Sequence, residues 1–286
     1  MTRMLPVLGK PSIATEEPPA AAAADASVYV IDDDLVVWRC DPAGELTQVP
    51  LPESVVPLHI SAAPGRFLHV LVAAEQGSKI LRAGDKEGTG WEEIGVATRL
   101  QRIACAPDGR IWALDDAGGV LVFKAEDTTP AYHSDEGFAD EISVGGDGRV
   151  WVVSTEERFA GRVVKWLVES EGSWVSLPAP SSAIKVAAAA DGVAWTVNSL
   201  GAVWRLHPLG SGNFDECQAD TDCNKCHFGG GLSDFAKDIA VDAGGAVWVL
   251  GTQHTQGGYQ LLRLADKTAK RYVRLVNFGG IKIAAG

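Results

Sequence analysis

The sequence predicts an all-β protein folded as a six-bladed β-propeller, and three observations support this prediction. A unit of about 40–45 residues recurs along the chain, which is a repeat length typical of propeller blades. Each unit reads as four short strands separated by glycine-containing turns. A spare strand stands at the C-terminus. The composition agrees with a rigid β architecture, because 32 glycines and nine tryptophans accompany only two methionines.

The first strand of each unit has an isoleucine or valine anchor that is followed by small residues and a turn. Its copies read LHISAAPG, RIACAPDG, EISVGGDG, IKVAAAADG and DIAVDAGG, with anchors at Ile60, Ile103, Ile142, Val186 and Ile239. The anchors lie 43, 39, 44 and 53 residues apart, and a sixth copy, IKIAAG, ends the chain. This spacing defines six units.

A turn joins the first strand of a unit to the second. Asp108-Gly109, Asp147-Gly148 and Asp191-Gly192 predict two-residue hairpins of type I′, which need positive φ at both central positions. The second strands carry tryptophan at one equivalent position, namely Trp112, Trp151, Trp195 and Trp248, and Leu68 and Tyr29 fill it in the other two units. We interpret these residues as wedges between neighbouring blades, because they lie mid-strand among apolar residues.

The third strand carries a lysine or arginine in every unit. The six residues are Arg39, Arg82, Lys124, Lys165, Arg205 and Arg263. Such a position could bind carboxylates or sugar hydroxyls through charge-assisted hydrogen bonds. The alternative, which we favour, is pairing with an acid of a neighbouring blade such as Asp115, Asp116 or Asp140.

The first unit lacks its first strand, since strands two to four lie at about residues 27–51 with nothing suitable before them. We predict that residues 281–284 supply the missing strand, which pairs the two ends of the propeller and removes an exposed edge. Residues 27–286 are therefore assigned to the propeller. Residues 1–26 are assigned to a flexible Pro/Ala-rich N-terminal tail, because prolines and Glu16 and Glu17 interrupt any apolar core of a secretory signal.

The charge of the chain excludes some classes of partner. A net charge of −12 disfavours nucleic acid, whose backbone is neutralised by clustered Lys and Arg, and it disfavours an anionic membrane surface. No stretch approaches the roughly 18–20 apolar residues of a membrane span. We therefore expect no nucleic-acid partner, no membrane insertion and a cytoplasmic location, unless a signal-independent system exports the protein.

At the stretches DGRIWALDDAGGVLVF and DGRVWVV, with GWEEI or SWVSL nearby, the sequence resembles the tectonin repeat of tachylectin-like propellers. The resemblance covers about residues 27–286. It is weaker in the first two units, where Leu68 replaces the tryptophan and Pro64-Gly65 replaces Asp-Gly. It implies a binding protein, commonly a glycan-binding lectin and in other cases a protein-interaction module.

The candidate ligand-binding residues are aromatic and basic side chains near strand ends or edges. They are Trp38, Trp91, Trp174, Trp204, Arg39 and Arg205. An indole can stack on a sugar ring, so the first hypothesis is a non-catalytic, carbohydrate-binding tectonin-type lectin with several weak sites.

The alternative hypothesis is a protein–protein interaction propeller that acts as a component of a larger assembly, and the unlike loop sequences of the blades favour it. A propeller lyase or hydrolase is a second alternative. No G-x-S-x-G, H-E-x-x-H or Walker-type motif appears, so we expect no enzyme. His59 and His69 belong to one hairpin, and we interpret them as ordinary surface residues.

A cysteine-rich insertion at residues 213–231 breaks the repeat in blade five. Cys217, Cys223, Cys226 and His227 form the pattern C-x5-C-x2-C-H, which suits a tetrahedral zinc site. A disulfide from Cys217 to either of the other two cysteines, free thiols, or haem attachment at CNKCH are the alternatives. Cys40 and Cys105 lie in predicted strands and are expected to be small buried hydrophobic residues.

Overall fold

The structure is a computed structural model that describes residues 27–62, 68–85, 88–95, 99–124, 130–134, 137–178, 182–208, 214–216, 236–266, 271–273 and 278–285. The regular elements in these ranges are β-strands, grouped in six antiparallel sheets. Across the same ranges, no helix has the length and apolar character needed to cross a membrane. The predicted six-bladed β-propeller is therefore confirmed.

The first three blades cover the N-terminal half of the propeller. Blade one contains β1 (Val28–Ile31), β2 (Val37–Cys40) and β3 (Leu46–Val49). Blade two contains β4 (Pro57–Ser61), β5 (His69–Ala74), β6 (Gly77–Arg82) and β7 (Glu92–Gly95). Blade three contains β8 (Leu100–Cys105), β9 (Ile111–Asp115), β10 (Val120–Phe123) and β11 (Ala131–Tyr132).

The next three blades follow the same plan. Blade four contains β12 (Ala139–Val144), β13 (Val150–Arg158), β14 (Gly161–Val168) and β15 (Ser173–Ser176). Blade five contains β16 (Lys185–Ala188), β17 (Ala194–Val197), β18 (Val203–Pro208) and β19 (Phe214–Glu216). Blade six contains β20 (Asp238–Val241), β21 (Val247–Thr255), β22 (Gly258–Asp266) and β23 (Arg271–Val273), with the short β24 (Gly279–Gly280) beside β22.

The C-terminal strand β25 (Lys282–Ala285) completes blade one. It pairs antiparallel with β1, so that Val28 faces Ala285 and Val30 faces Ile283. The predicted closure of the ring by the end of the chain is thus confirmed. The innermost strands of the six blades, β25, β4, β8, β12, β16 and β20, contact one another in a closed circle around a central channel.

The two faces of the propeller carry different loops. We call the face at which the innermost strands begin the upper face. Because neighbouring strands of a blade are antiparallel, the loops between second and third strands lie on this upper face as well. The loops between first and second strands, such as residues 106–110 and 145–149, lie on the opposite, lower face.

The repeated tryptophans pack between blades, as predicted. Trp112, Trp151 and Trp248 have no exposed surface, and Trp195 is 4% exposed. Each lies in an apolar cluster with residues of the following blade, for example Trp112 with Ile142 of β12. These clusters hold neighbouring sheets together, because bulky buried aromatic rings remove a large apolar area from water.

Blade two differs from the prediction at the wedge position. The tryptophans pair with a small first-strand residue, as Trp112 does with Ala104, and in blade two the residue opposite Ser61 is His69. His69, not Leu68, therefore occupies the tryptophan position, and it is 7% exposed. Leu68 points to the other side of the sheet and packs toward blade one with Tyr29. The prediction assigned the apolar Leu68 to the wedge position, whereas the strand register assigns His69, so it was wrong by one residue.

The lower-face turns have a different type from the predicted one. Gly109 N donates to Ala106 O (3.0 Å) and Ala106 N donates to Arg110 O (2.8 Å). Gly109 has φ 92°, whereas Asp108 is not among the residues with positive φ. The loop is therefore a type I turn followed by a left-handed glycine, a three-residue hairpin, and type I′ was wrong. The loops ending in Gly148 and Gly192 repeat these hydrogen bonds.

Candidate functional site

Six titratable side chains come together at the upper end of the central channel. The residue just before the anchor of each innermost strand is charged or is a histidine, in the order Lys282, His59, Arg102, Glu141, Lys185 and Asp238 from blade one to blade six. Because the innermost strands surround the channel side by side, one residue of each blade contributes to this group. We call these six residues the channel ring.

Below the ring, small side chains line the channel. This layer consists of Ser61, Ala104, Ser143, Ala187, Ala240 and Ala284. The two serines bridge neighbouring blades, since Ser61 Oγ accepts from Cys105 N (3.0 Å) and Ser143 Oγ accepts from Ala188 N (2.9 Å). The small residues leave a cavity of about 80 Å³, which is bordered by His59, Glu141 and Asp238 of the ring.

Glu141 is the shared acid of the ring. Its Oε1 lies 3.3 Å from Arg102 Nη2 and also pairs with Lys185 Nζ. Burial lowers the pKa of Lys185, but the attraction of Asp238 and Glu141 outweighs burial and leaves the pKa above its usual value. Removing the carboxylate of Glu141 would leave two partly buried cations without this partner, which costs free energy of folding. Glu141 therefore stabilises this side of the ring.

On the other side of the ring, Asp238 of blade six attracts Lys282 but forms no ion pair with it within 4 Å. Burial holds the pKa of His59 well below its ordinary value, and the positive charges of Arg102, Lys282 and Lys185 lower it further, so the imidazole is neutral. Burial also lowers the pKa of Lys282, an effect that attraction to Asp238 only partly offsets. Among the described residues Lys282 has no ion pair within 4 Å.

The ring consequently carries an excess of positive charge. Three cations face two carboxylates, with His59 neutral. Burial raises the pKa of Asp238, although Lys185 opposes this shift, so that carboxylate is itself held at a cost. In a chain with net charge −12, this mouth of the channel is a local positive site.

The channel ring was not predicted, although the repeat contains a signal for it. In LHI, RI, EI, KV, DI and KI, the residue before the anchor is titratable in all six units while its neighbours are mostly apolar. We interpreted His59 as an ordinary surface residue, and the structure instead places it in the ring.

The upper face has a second distinctive property. Seven large apolar side chains of the described residues are exposed, and all of them lie on this face: Leu35, Val56, Leu58, Phe159, Ile184, Leu200 and Ile281. Leu58, Ile184 and Ile281 directly precede ring residues. Several exposed large apolar side chains on one face are typical of an interaction surface.

Phe159 is the most exposed of these side chains, at 90%, and stands at the tip of the β13–β14 hairpin of blade four. Backbone hydrogen bonds fasten this hairpin to blade five. Ser199 N donates to Ala160 O (2.9 Å), and Arg162 and Ala183 exchange two bonds of 2.8 and 2.9 Å. Phe159 is thereby held near Leu200 and Ile184, the chain neighbours of Ser199 and Ala183.

The four predicted ligand-binding tryptophans are half-buried, as is Arg39. Three of their indole N–H groups are used within the fold: Trp38 donates to Asp32 (2.8 Å), Trp91 to Pro50 O (2.8 Å) and Trp174 to His133 O (3.3 Å). Trp91 and Trp174 thus fasten the fourth strand of a blade to the preceding blade. The six candidate residues form no single site, and their role in ligand binding stays a prediction.

Two of these candidates line cavities. Trp91 borders a cavity of about 760 Å³ beside blade two, together with Val72, Lys79 and Glu93. Arg205 borders a cavity of about 170 Å³ between blades five and six, on the lower face, with Trp195 and Asp191.

The basic position of the third strand is shared by four blades, not six. Arg39, Arg82, Arg205 and Arg263 lie opposite the wedge position of their blade. Val122 and Trp166 take this place in blades three and four, so Lys124 and Lys165 are out of register. The guanidinium groups of Arg205 and Arg263 lie over the rings of Trp195 and Trp248, at 5.9 and 5.3 Å.

The acids predicted to pair with this position act within their own blade. Asp140 pairs with Arg162 of β14. The carboxylate of Asp115 accepts from Ala117 N (3.0 Å) and Gly119 N (2.7 Å), which stabilises the turn after β9. The predicted pairing across blades was therefore wrong for these two acids.

The cysteines fall into two groups. Cys40 and Cys105 are buried, and burial raises the pKa of their thiols to about 11 and about 12, so both are inert at neutral pH, as expected for small buried hydrophobic residues. Cys217, Cys223, Cys226 and His227 lie outside the described residues, and zinc binding there stays a prediction.

Comparisons with known proteins support the fold. No family model matches the chain and no curated protein matches it in sequence, so the resemblance to tectonin repeats is not confirmed. Among solved structures, TolB from Acinetobacter baumannii is similar, with a TM-score of 0.64 and 13% identity over 92% of this chain and 67% of that one.

Two further structures are similar in the same way. The β-propeller domain of Swd1 from Myceliophteria thermophila has a TM-score of 0.56 and 11% identity, covering 92% of this chain and 90% of its own. YCF48 bound to D1 peptide has a TM-score of 0.53 and 17% identity, covering 84% of this chain and 76% of its own. At such identities the likeness concerns the fold alone.

Proposed function

We propose that this protein is a non-catalytic protein-interaction propeller that binds a partner through its upper face. The observation that carries the proposal is the location of the exposed large apolar side chains. In the described part of the chain they all lie on the upper face, and three of them directly precede channel-ring residues. A similar fold is found in YCF48, whose structure is of a complex with D1 peptide, which is compatible with a propeller that binds a polypeptide.

The proposal is tested by changing Phe159 and Leu200 together to aspartate. Two charges within an apolar contact oppose its burial, and we expect a loss of affinity of at least about 100-fold, or 2.7 kcal/mol. The measurement is affinity capture from an extract of the native source, followed by titration of the purified complex. Ala190→Asp is the matched control, because Ala190 is exposed on the lower face.

Glycan binding is the competing function, favoured by the cavity that Arg205 and Trp195 line. The guanidinium of Arg205, which lies over the buried Trp195 ring, can donate charge-assisted hydrogen bonds to sugar hydroxyls. A glycan array probed with the wild-type chain separates the two functions. We expect no signal; a signal that is lost in Arg205→Met but kept in the Phe159/Leu200 variant would contradict the interaction proposal.

A further inference from the structure

The charges of the channel ring do not balance, because its cations outnumber its carboxylates by one. Glu141 balances part of the charge of Arg102 and Lys185, on the side of blades three to five. On the side of blades one to three, Lys282, His59 and Arg102 stand in sequence without an acid between them. Because these groups are partly removed from water, the excess charge is screened less than on an open surface, and a bound anion would compensate it.

We place the anion at the mouth of the channel, beside Lys282 and Arg102, and not in the cavity below the ring. That cavity of about 80 Å³ is bordered by the carboxylates of Glu141 and Asp238, which would repel a negative group, and neither Lys282 nor Arg102 lines it. The open mouth sets no size limit, so the anion is identified from its surroundings. A metal cation is disfavoured because the ring already has more cations than carboxylates.

The surroundings of the mouth point to a polypeptide as the source of the carboxylate. Leu58, Ile184 and Ile281 are 40%, 36% and 37% exposed, and each directly precedes a ring residue. They can contact apolar side chains on either side of an inserted carboxylate. An extended segment offers this combination, because its side chains alternate in direction.

Resting on the proposed function, we propose that the partner inserts a carboxylate into the channel ring beside Lys282, carried by an extended segment with flanking apolar residues. The carboxylate comes from an aspartate or glutamate side chain or from a chain terminus. It accepts charge-assisted hydrogen bonds from Lys282 and Arg102, and the apolar residues pack on the upper face around it.

In the experiment, random displayed peptides are selected for binding to the full-length protein. One library has free C-termini and the other has blocked C-termini. Selected peptides are then synthesised with a fluorescent label, and their affinity is measured by fluorescence anisotropy. We expect apolar peptides with acidic residues from the blocked library, or with a free terminal carboxylate from the other. Glu→Gln or Asp→Asn exchange in the peptide, and amidation of its C-terminus, identify which carboxylate is bound.

Variants of the chain locate the bound carboxylate. Lys282→Met removes a charge that burial already disfavours, so the chain should stay folded, and we expect affinity to fall at least about tenfold. Lys124→Met is the matched control, since Lys124 is exposed at the lower end of β10, and affinity should not change. Asp238→Asn removes a competing negative charge from the ring and should increase affinity.

Three results would overturn the inference. The first is no excess of acidic peptides in the blocked library, together with free-terminus peptides whose affinity survives amidation. The second is selected peptides that bind Lys282→Met as tightly as wild type, and the third is weaker binding to Asp238→Asn. The proposed function has a separate readout. If neutral peptides are selected, and they lose affinity on the Phe159/Leu200 variant but not on Lys282→Met, the upper face is still the interaction surface and the carboxylate site is rejected.

Discussion

At the scale of the residue, Asp238 has the clearest dependence on pH. Burial raises its folded-state pKa above the ordinary 3.8, so the folded chain binds this proton more readily than the unfolded chain does. Its contribution to stability is therefore favourable below the raised pKa and is lost as the pH rises through it. At neutral pH the ionised carboxylate opposes folding.

The corresponding prediction is that Asp238→Asn increases the free energy of unfolding at neutral pH, and that the gain shrinks as the pH falls toward 3.8. The asparagine oxygen can still accept from Ile239 N, which the carboxylate does at 3.1 Å. Urea titrations across this pH range measure the difference. Asp191→Asn, an exposed acid on the lower face, serves as control, and a gain that grew on acidification would contradict the prediction.

At the scale of the element, the β1–β2 hairpin has a side chain where the β9–β10 hairpin has glycine. Leu35 N donates to Asp32 O (3.1 Å) in the β1–β2 loop, as Gly118 N does to Asp115 O in the β9–β10 loop. Leu35 has φ 62° and is 41% exposed. A left-handed backbone costs about 1–2 kcal/mol for a residue with a Cβ, and little of that is returned by burial here.

We therefore expect Leu35→Gly to raise the free energy of unfolding by about 0.5–1 kcal/mol, the strain relieved minus the entropy of the added glycine. Gly148→Ala is the opposite change at an equivalent position in a lower-face turn. Gly148 has φ 84° and open space where a Cβ would stand, so strain alone should lower stability by about 1 kcal/mol. Urea midpoints of both variants test the pair, and equal signs would refute the explanation.

At the scale of the whole molecule, closure of the propeller depends on the pairing of β25 with β1. Ile283 of β25 is 6% exposed and lies in the cluster that joins blades six and one, whereas Ile281, two residues earlier, is 37% exposed. We expect Ile283→Ala to lower the free energy of unfolding by about 2–4 kcal/mol and Ile281→Ala to change it by less than about 0.5. Thermal melts of both variants provide the comparison, and a loss in Ile283→Ala as small as that in Ile281→Ala would mean that the packing of β25 contributes little to closure.

The sequence was sufficient for the architecture but not for the site. Closure could be predicted because a missing first strand and the spare copy around Ile283 are both visible in the repeat. Register could not be derived from hydrophobicity, so Leu68 was preferred to His69. The channel ring was encoded in the residue before each anchor, but its meaning depends on six strands standing around one axis. The apolar upper face depends on which loops share a side, and that requires the strand directions.

The pairing of β25 with β1 also fixes where the polypeptide leaves the propeller. Val28 and Ala285 face each other at the lower end of blade one. Both exits are therefore on the side opposite Phe159 and the channel ring. A tag or fusion joined at the C-terminal end would leave the propeller on the lower face, so immobilisation through that end should keep the upper face accessible.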